Sequence, residues 1–200
     1  RHTCEGREFT VDRRHGDRLC VEAGSVLAPA ERGAHRRRQL RATYYPSQRE
    51  LPLRETVLYT AGRGDDSLRA VHEELVRRGT EVGHLWVTRD QQTHVPPLAH
   101  AVEEHSAAWY EALARCRRIV ASDHLPGFFR SRPGQTVVQT WHGVPLKRIG
   151  ADLHGTRYAH HARLEALPRL AAQWSVLVSP NRFAARHLCR ALAYDGELLQ

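Results

Sequence analysis

From residue 55 onward, short apolar runs alternate with amphipathic stretches. Thr56-Val57-Leu58-Tyr59-Thr60 is β-branched and apolar throughout, the pattern of a strand buried on both faces. It runs into Ala61-Gly62-Arg63-Gly64, and Asp65 or Asp66 can cap a following helix whose face carries Leu68, Val71 and Leu75 until Gly79 stops it. Leu85-Trp86-Val87-Thr88 reads as the next strand, followed by a loop with Pro96-Pro97 and a short strand beginning at Ala101-Val102. A helix over 107–116 leads to strands at 118–121 and 137–139. Residues 156–174 read as mostly helical with Pro168 as a kink. After a strand at 175–178, Ser179 as cap and Pro180 as first residue open a last helix.

Single helices between strands that are apolar throughout predict an α/β fold with a Rossmann-like parallel sheet, covered on both faces. Ligands of such sheets gather at the carboxyl ends of the strands. Two ends stand out: 61–64, and Thr140-Trp141-His142-Gly143.

Residues 1–53 follow another rhythm. Phe9-Thr10-Val11 and Arg18-Leu19-Cys20-Val21 flank His15-Gly16-Asp17, a hairpin signal. Residues 39–45, Gln-Leu-Arg-Ala-Thr-Tyr-Tyr, read as another extended stretch ending at Pro46. We therefore expect a small β-rich accessory segment, or the tail of an upstream domain, over 1–53 and the Rossmann-like body over 54–200.

Composition adds a partner and a context. With 41% hydrophobic residues the chain can bury a real core. The formal charge of +8 points to an anionic partner: a nucleic acid, a phosphorylated polymer or an acidic lipid surface. Aromatics are not interleaved with the arginines as a single-strand stacking platform requires, so nucleic acid is not the expected partner. Cys4, Cys20, Cys116 and Cys189 form no C-x-x-C pair, which excludes a small zinc module and leaves reduced thiols as the default. No apolar run approaches the length of a bilayer span. Methionine is absent, position 1 included, so a piece of a longer protein is expected.

The candidate chemistry lies in residues 139–150, Gln-Thr-Trp-His-Gly-Val-Pro-Leu-Lys-Arg-Ile-Gly. A strand end presents His142 beside Gly143, where the backbone can bend sharply or approach a ligand closely. Lys147 and Arg148 follow, and Lys147 is the only lysine among 30 basic residues. Lysine is a compact point charge where arginine is a planar fork. A base, a pliable turn and paired cations suit transfer of a phosphorylated group. His142 is the candidate general base; a histidine tied to a backbone carbonyl is the plainer reading of the same residue. Gly143, Lys147 and Arg148 are candidate phosphate contacts, against a tight turn and solvated charge. Trp141 reads as a packing residue rather than a substrate platform, His124 as surface with a place in the cleft as the alternative, and Asp152 as a helix cap with the orienting of a lysine as the alternative. His154, His160 and His161 lack the carboxylate spacing of a metal site.

This motif resembles the signature of the CDP-glycerol glycerophosphotransferases, which build poly(glycerol phosphate) teichoic acids. The likeness runs over roughly 55–200, through residues 57–64, Asp66-Ser67-Leu68-Arg69-Ala70, Leu85-Trp86-Val87, residues 121–126 with Phe128-Phe129, and Ser179-Pro180-Asn181. Val144 stands where the resemblance leads us to expect a threonine.

The resemblance implies one lobe of a GT-B-like transferase, the amino-terminal, acceptor-side one, ending before the donor-binding lobe. It implies attack by a glycerol hydroxyl on the glycerol-bearing phosphorus of CDP-glycerol, expelling CMP. The donor would be CDP-glycerol, the acceptor a lipid-linked glycerol phosphate, and the location the anionic inner face of the cell membrane. No cofactor is identified, and a metal requirement stays open. Two other readings stay open: a GT-B nucleotide-sugar glycosyltransferase, and a non-catalytic basic domain whose nucleic-acid affinity falls steeply with salt.

Overall fold

The computed structural model describes residues 2–4, 7–14, 18–23, 31, 33–61, 66–89 and 93–200. The chain divides into two compact units. One comprises Arg1–Leu58 and Val82–Cys116, the other Tyr59–Glu81 and Arg117–Gln200.

The first unit opens with strands β1 (His2–Cys4), β2 (Arg7–Arg14) and β3 (Arg18–Ala23), a three-stranded antiparallel sheet in which Val11 faces Val21 across β2 and β3. The pairing of Arg14 with Arg18 is that of a hairpin. Its turn, His15–Asp17, lies outside the described residues, as do residues 62–65 with the candidate cap Asp65; Asp66, the other candidate, is itself helical.

The extended reading of 39–45 is incorrect. Helix α1 (Ala34–Gln39) passes through a π-helical turn (Leu40–Tyr44) into α2 (Tyr45–Arg49). Leu40 and Tyr45, five residues apart, are both buried, the spacing a π turn brings onto one face. Pro46, the second residue of α2, has no N–H to carry on the backbone ladder that runs through the π turn. Tyr45 lies 6.4 Å from the ring of Tyr110, so packing overrides the β-like look of Thr43-Tyr44-Tyr45.

The remaining elements alternate as expected. They are β4 (Arg54–Thr60), α3 (Asp66–Arg77), β5 (Gly83–Thr88), β6 (Ala99–Glu103), α4 (Ala107–Arg115), β7 (Cys116–Ala121), β8 (Thr136–Gln139), α5 (His161–Ala171), β9 (Val176–Val178), α6 (Arg182–Leu192) and β10 (Glu197–Leu199). A 3₁₀ turn occupies Gly150–Leu153. Strands β4 to β10 form one sheet in the order β10-β9-β8-β7-β4-β5-β6. The β5–β6, β7–β8, β8–β9 and β9–β10 pairs are all parallel.

Each unit has its own core. Leu40, Trp86, Trp109 and Leu113 are buried in the first, Tyr59, Leu68, Phe129, Ile119, Leu177 and Leu188 in the second. Two helix starts and one strand differ from expectation. Helix α5 starts at His161 rather than near 156 and carries Pro168 inside it. The last helix is capped by Asn181, whose side chain accepts the Ala184 N–H at 2.8 Å, not by Ser179. Strand β10 was not foreseen. Among the described residues, no helix is long and apolar enough to cross a membrane.

Candidate functional site

Strand β8 ends at Gln139, whose side chain is fully buried. Its amide oxygen accepts the Trp141 N–H at 2.8 Å, and its amide nitrogen donates to the Asp123 carbonyl at 3.0 Å. The Thr140 N–H donates to the Ala121 carbonyl at 2.8 Å. The loop leaving β7 and the turn leaving β8 are thereby clamped together.

Trp141 itself is left-handed, with φ of 54°, a conformation costing a non-glycine residue about 1–2 kcal/mol. Burial of its indole offsets that cost. The chain then passes through Gly143 at φ 109°. Nothing lies within 4 Å of a Cβ built there, so backbone conformation rather than side-chain room requires glycine.

His142 projects from this turn. Its Nδ1 lies 2.9 Å from the Ser122 carbonyl oxygen. A carbonyl only accepts, so Nδ1 carries the proton and the neutral ring keeps its lone pair on Nε2. The tie to a backbone carbonyl expected on the plainer reading is thus present, and it uses Nδ1 alone. The ring stacks on Trp141 with centroids 4.4 Å apart and planes at 24°. The residue is exposed and lines a cavity of about 370 Å³ at the carboxyl ends of β7 and β8.

Two guanidiniums, Arg148 and Arg163, line that cavity against the single carboxylate of Asp123, together with His160 and the apolar Ile149, Leu153, Leu164 and Leu167. His124 also lines it, contrary to the surface placement expected from sequence. It packs flat on Trp174 at 5.7 Å and edge-on to Trp141 at 5.5 Å. Burial lowers its pKa, and Asp123 opposes that only in part.

The two motif cations part company. Arg148 lines the His142 cavity and also a second, more open groove of about 530 Å³; Lys147 lines only the groove, with Leu146, Phe183 and His187. Gly143 lines neither and serves as the hinge of the turn. Asp152 does not cap a helix. Both its oxygens accept from Arg190 at 2.9 Å, and that guanidinium holds its carboxyl below the usual range. Close approach makes the pair possible: a Cβ on Gly150 would lie 1.9 Å from the Ala191 carbonyl oxygen. His154 and His161 have rings 6.2 Å apart. No cluster of three or more metal-type ligands occurs among the described residues.

Sequence reasoning missed Gln139, Arg163 and the Ser122 carbonyl. Gln139 carried a signal, a polar amide closing an otherwise apolar strand. Arg163 and Ser122 carried none, because their role exists only once three elements converge.

Known proteins share this architecture. The family model described as CDP-Glycerol:Poly(glycerophosphate) glycerophosphotransferase matches residues 43–200. The teichoic acid poly(glycerol phosphate) polymerase of Staphylococcus epidermidis is 28% identical over 138 residues, covering 66% of this chain and 19% of that protein. The same-named protein of Bacillus subtilis is 26% identical, covering 74% and 21%. The teichoic acid glycerol-phosphate transferase of Staphylococcus aureus is 25% identical, covering 68% and 36%. The chain thus spans between a fifth and about a third of these relatives. Among solved structures, the wall teichoic acid polymerase TagF superposes with a TM-score of 0.74 at 23% identity, covering 83% of this chain and 43% of that one. A histidine-to-asparagine variant of TagF soaked with CDPG aligns equally well. With more than half its length matched by the family model, this chain belongs to the CDP-glycerol:poly(glycerophosphate) glycerophosphotransferase family.

Proposed function

We propose that the chain supplies the base and acceptor side of a glycerophosphotransferase that moves glycerol phosphate from CDP-glycerol to a glycerol-phosphate acceptor. One observation carries the reading: the Ser122 carbonyl fixes the His142 tautomer, so that the neutral ring has its lone pair on Nε2, and the ring lines a cavity holding Arg148 and Arg163.

The acceptor hydroxyl gives its proton to Nε2 as its oxygen bonds to the glycerol-bearing phosphorus of CDP-glycerol. The bond from that phosphorus to the CMP oxygen breaks, and CMP leaves with the electron pair. A positioned base of this kind contributes about 100- to 10,000-fold in rate. Arg148, and Lys147 in the adjoining groove, hold phosphate oxygens and offset developing charge. On this reading the acceptor is lipid-linked and the protein rests peripherally on the anionic inner face of the cell membrane, a placement the +8 charge supports.

The test is CMP release by the full-length protein bearing this chain, with CDP-glycerol, CDP-ribitol and nucleotide sugars as donors. We expect CDP-glycerol to be used and His142→Asn to lose at least about 100-fold in turnover while keeping its fold. Near-normal turnover in that variant would overturn the role of His142. Preference for a nucleotide sugar would overturn the reaction.

A further inference from the structure

We infer that the open groove beside the His142 cavity binds the growing acceptor chain as a linear polyanion, several repeats at a time, so that Arg148 joins a reacting-end cavity to a track for the preceding units. The inference rests on the glycerophosphotransferase reading and adds where the polymer lies.

Three features of the groove support it. Arg148 belongs to both cavities, so a chain whose end lies beside His142 reaches the groove by passing this one guanidinium. Charge in the groove is one-sided, with Lys147, Arg148 and Arg190 set against the single carboxylate of Asp152. Arg190 is committed to that carboxylate, leaving Lys147 and Arg148 as the cations offered outward. The surface is also amphipathic: Leu146 is 91% exposed and Phe183 61% exposed beside these cations. An oligomer of glycerol phosphate has the matching pattern, one charge per repeat separated by short carbon segments.

His187 fits the same ligand. Its Nδ1 lies 3.3 Å from an Arg190 guanidinium nitrogen. A guanidinium only donates, so Nδ1 accepts and the neutral ring carries its proton on Nε2. This is the opposite tautomer to that of His142, a donor suited to a phosphate oxygen rather than a base. Phe183 braces the ring at 4.4 Å. The groove walls are fixed relative to each other, because Gly150 abuts Ala191 and the Asp152–Arg190 pair ties the 3₁₀ turn to α6.

Calorimetric titration of the full-length protein with sn-glycerol 3-phosphate and with a synthetic glycerol-phosphate tetramer tests this without turnover. We expect the tetramer to bind at least about tenfold tighter, beyond the roughly fourfold that four equivalent repeats give by statistics alone. The excess should shrink in His187→Ala and Phe183→Ala and persist in Arg186→Ala, a cation on the same helix that lines a different surface. A tetranucleotide of equal backbone charge should not share the gain. A tetramer gain within the statistical factor, or one lost equally in Arg186→Ala, or one matched by the tetranucleotide, would overturn the track while leaving the single-unit site standing. Failure of both glycerol-phosphate ligands to bind would remove the track together with the reading beneath it.

Discussion

Gln139 holds Trp141 by the main chain: the buried amide oxygen of one accepts the N–H of the other at 2.8 Å. The left-handed backbone of Trp141 thus has its donor satisfied two residues upstream, and His142 follows directly from that fixed point. Removing the amide strands two polar groups, the Trp141 N–H and the Asp123 carbonyl, each costing about 1–3 kcal/mol when buried unpaired. Gln139→Ala is expected to lower unfolding free energy by about 2–4 kcal/mol. Gln139→Glu should rescue little, since a carboxylate accepts from Trp141 but cannot donate to Asp123. Chemical denaturation measures both, and an alanine variant within about 0.5 kcal/mol of the parent would refute the clamp.

Gly150 offers a second mutational test. Its φ is 52° and a methyl group there would collide with the Ala191 carbonyl. Gly150→Ala should cost about 2–4 kcal/mol, combining backbone strain with forced separation of the turn from α6. A thermal midpoint unchanged from the parent would contradict this packing.

Acid should weaken the second unit through His124. Burial lowers its pKa from the ordinary 6.5. In the unfolded chain the same imidazole takes up a proton near pH 6.5, whereas the folded one does so only at lower pH. The unfolded state then binds more protons, so this contribution is present in full above about pH 6.5 and is lost as the pH falls below it. His124→Phe keeps the ring contacts with Trp174 and Trp141 and should flatten the fall in stability between about pH 7 and pH 5. His72, in the same unit and also lowered chiefly by burial, leaves a residual slope. A steeper slope in the variant would reverse the assignment.

Cys116 should be chemically silent in the folded protein. It is 1% exposed, and burial pushes its thiol up to about 11 even though the Thr56 hydroxyl donates to its sulfur at 3.1 Å. Thiolate is the reactive form. Native labelling by a thiol reagent at neutral pH should be the same in the parent and in Cys116→Ser, with a further thiol appearing in the parent only on unfolding.

Legibility followed the kind of signal each element carried. Strands buried on both faces were visible because Thr56 to Thr60 and 118–121 leave no polar alternation to confuse with a helix or an exposed strand. The 39–45 segment misled because Thr43, Tyr44 and Tyr45 have strand-like side chains, while their helix is selected by burial of Leu40 and Tyr45. Asn181 rather than Ser179 caps α6 because one short side chain reaches the Ala184 N–H, a choice that offsets in sequence do not decide. At the site, the histidine and the turn were legible in residues 139–150. The separation of Lys147 from Arg148 into two cavities was not, nor was the burial of His124 between tryptophans distant in sequence.

The stack of Trp141 on His142 gives the site its own optical reporter. An excited indole in face contact with an imidazolium is quenched far more than beside the neutral ring. With Trp86, Trp109 and Trp174 replaced by phenylalanine, and His124 as well so that no second imidazole touches the indole, a change in Trp141 emission on adding an anionic ligand would report events at this one ring.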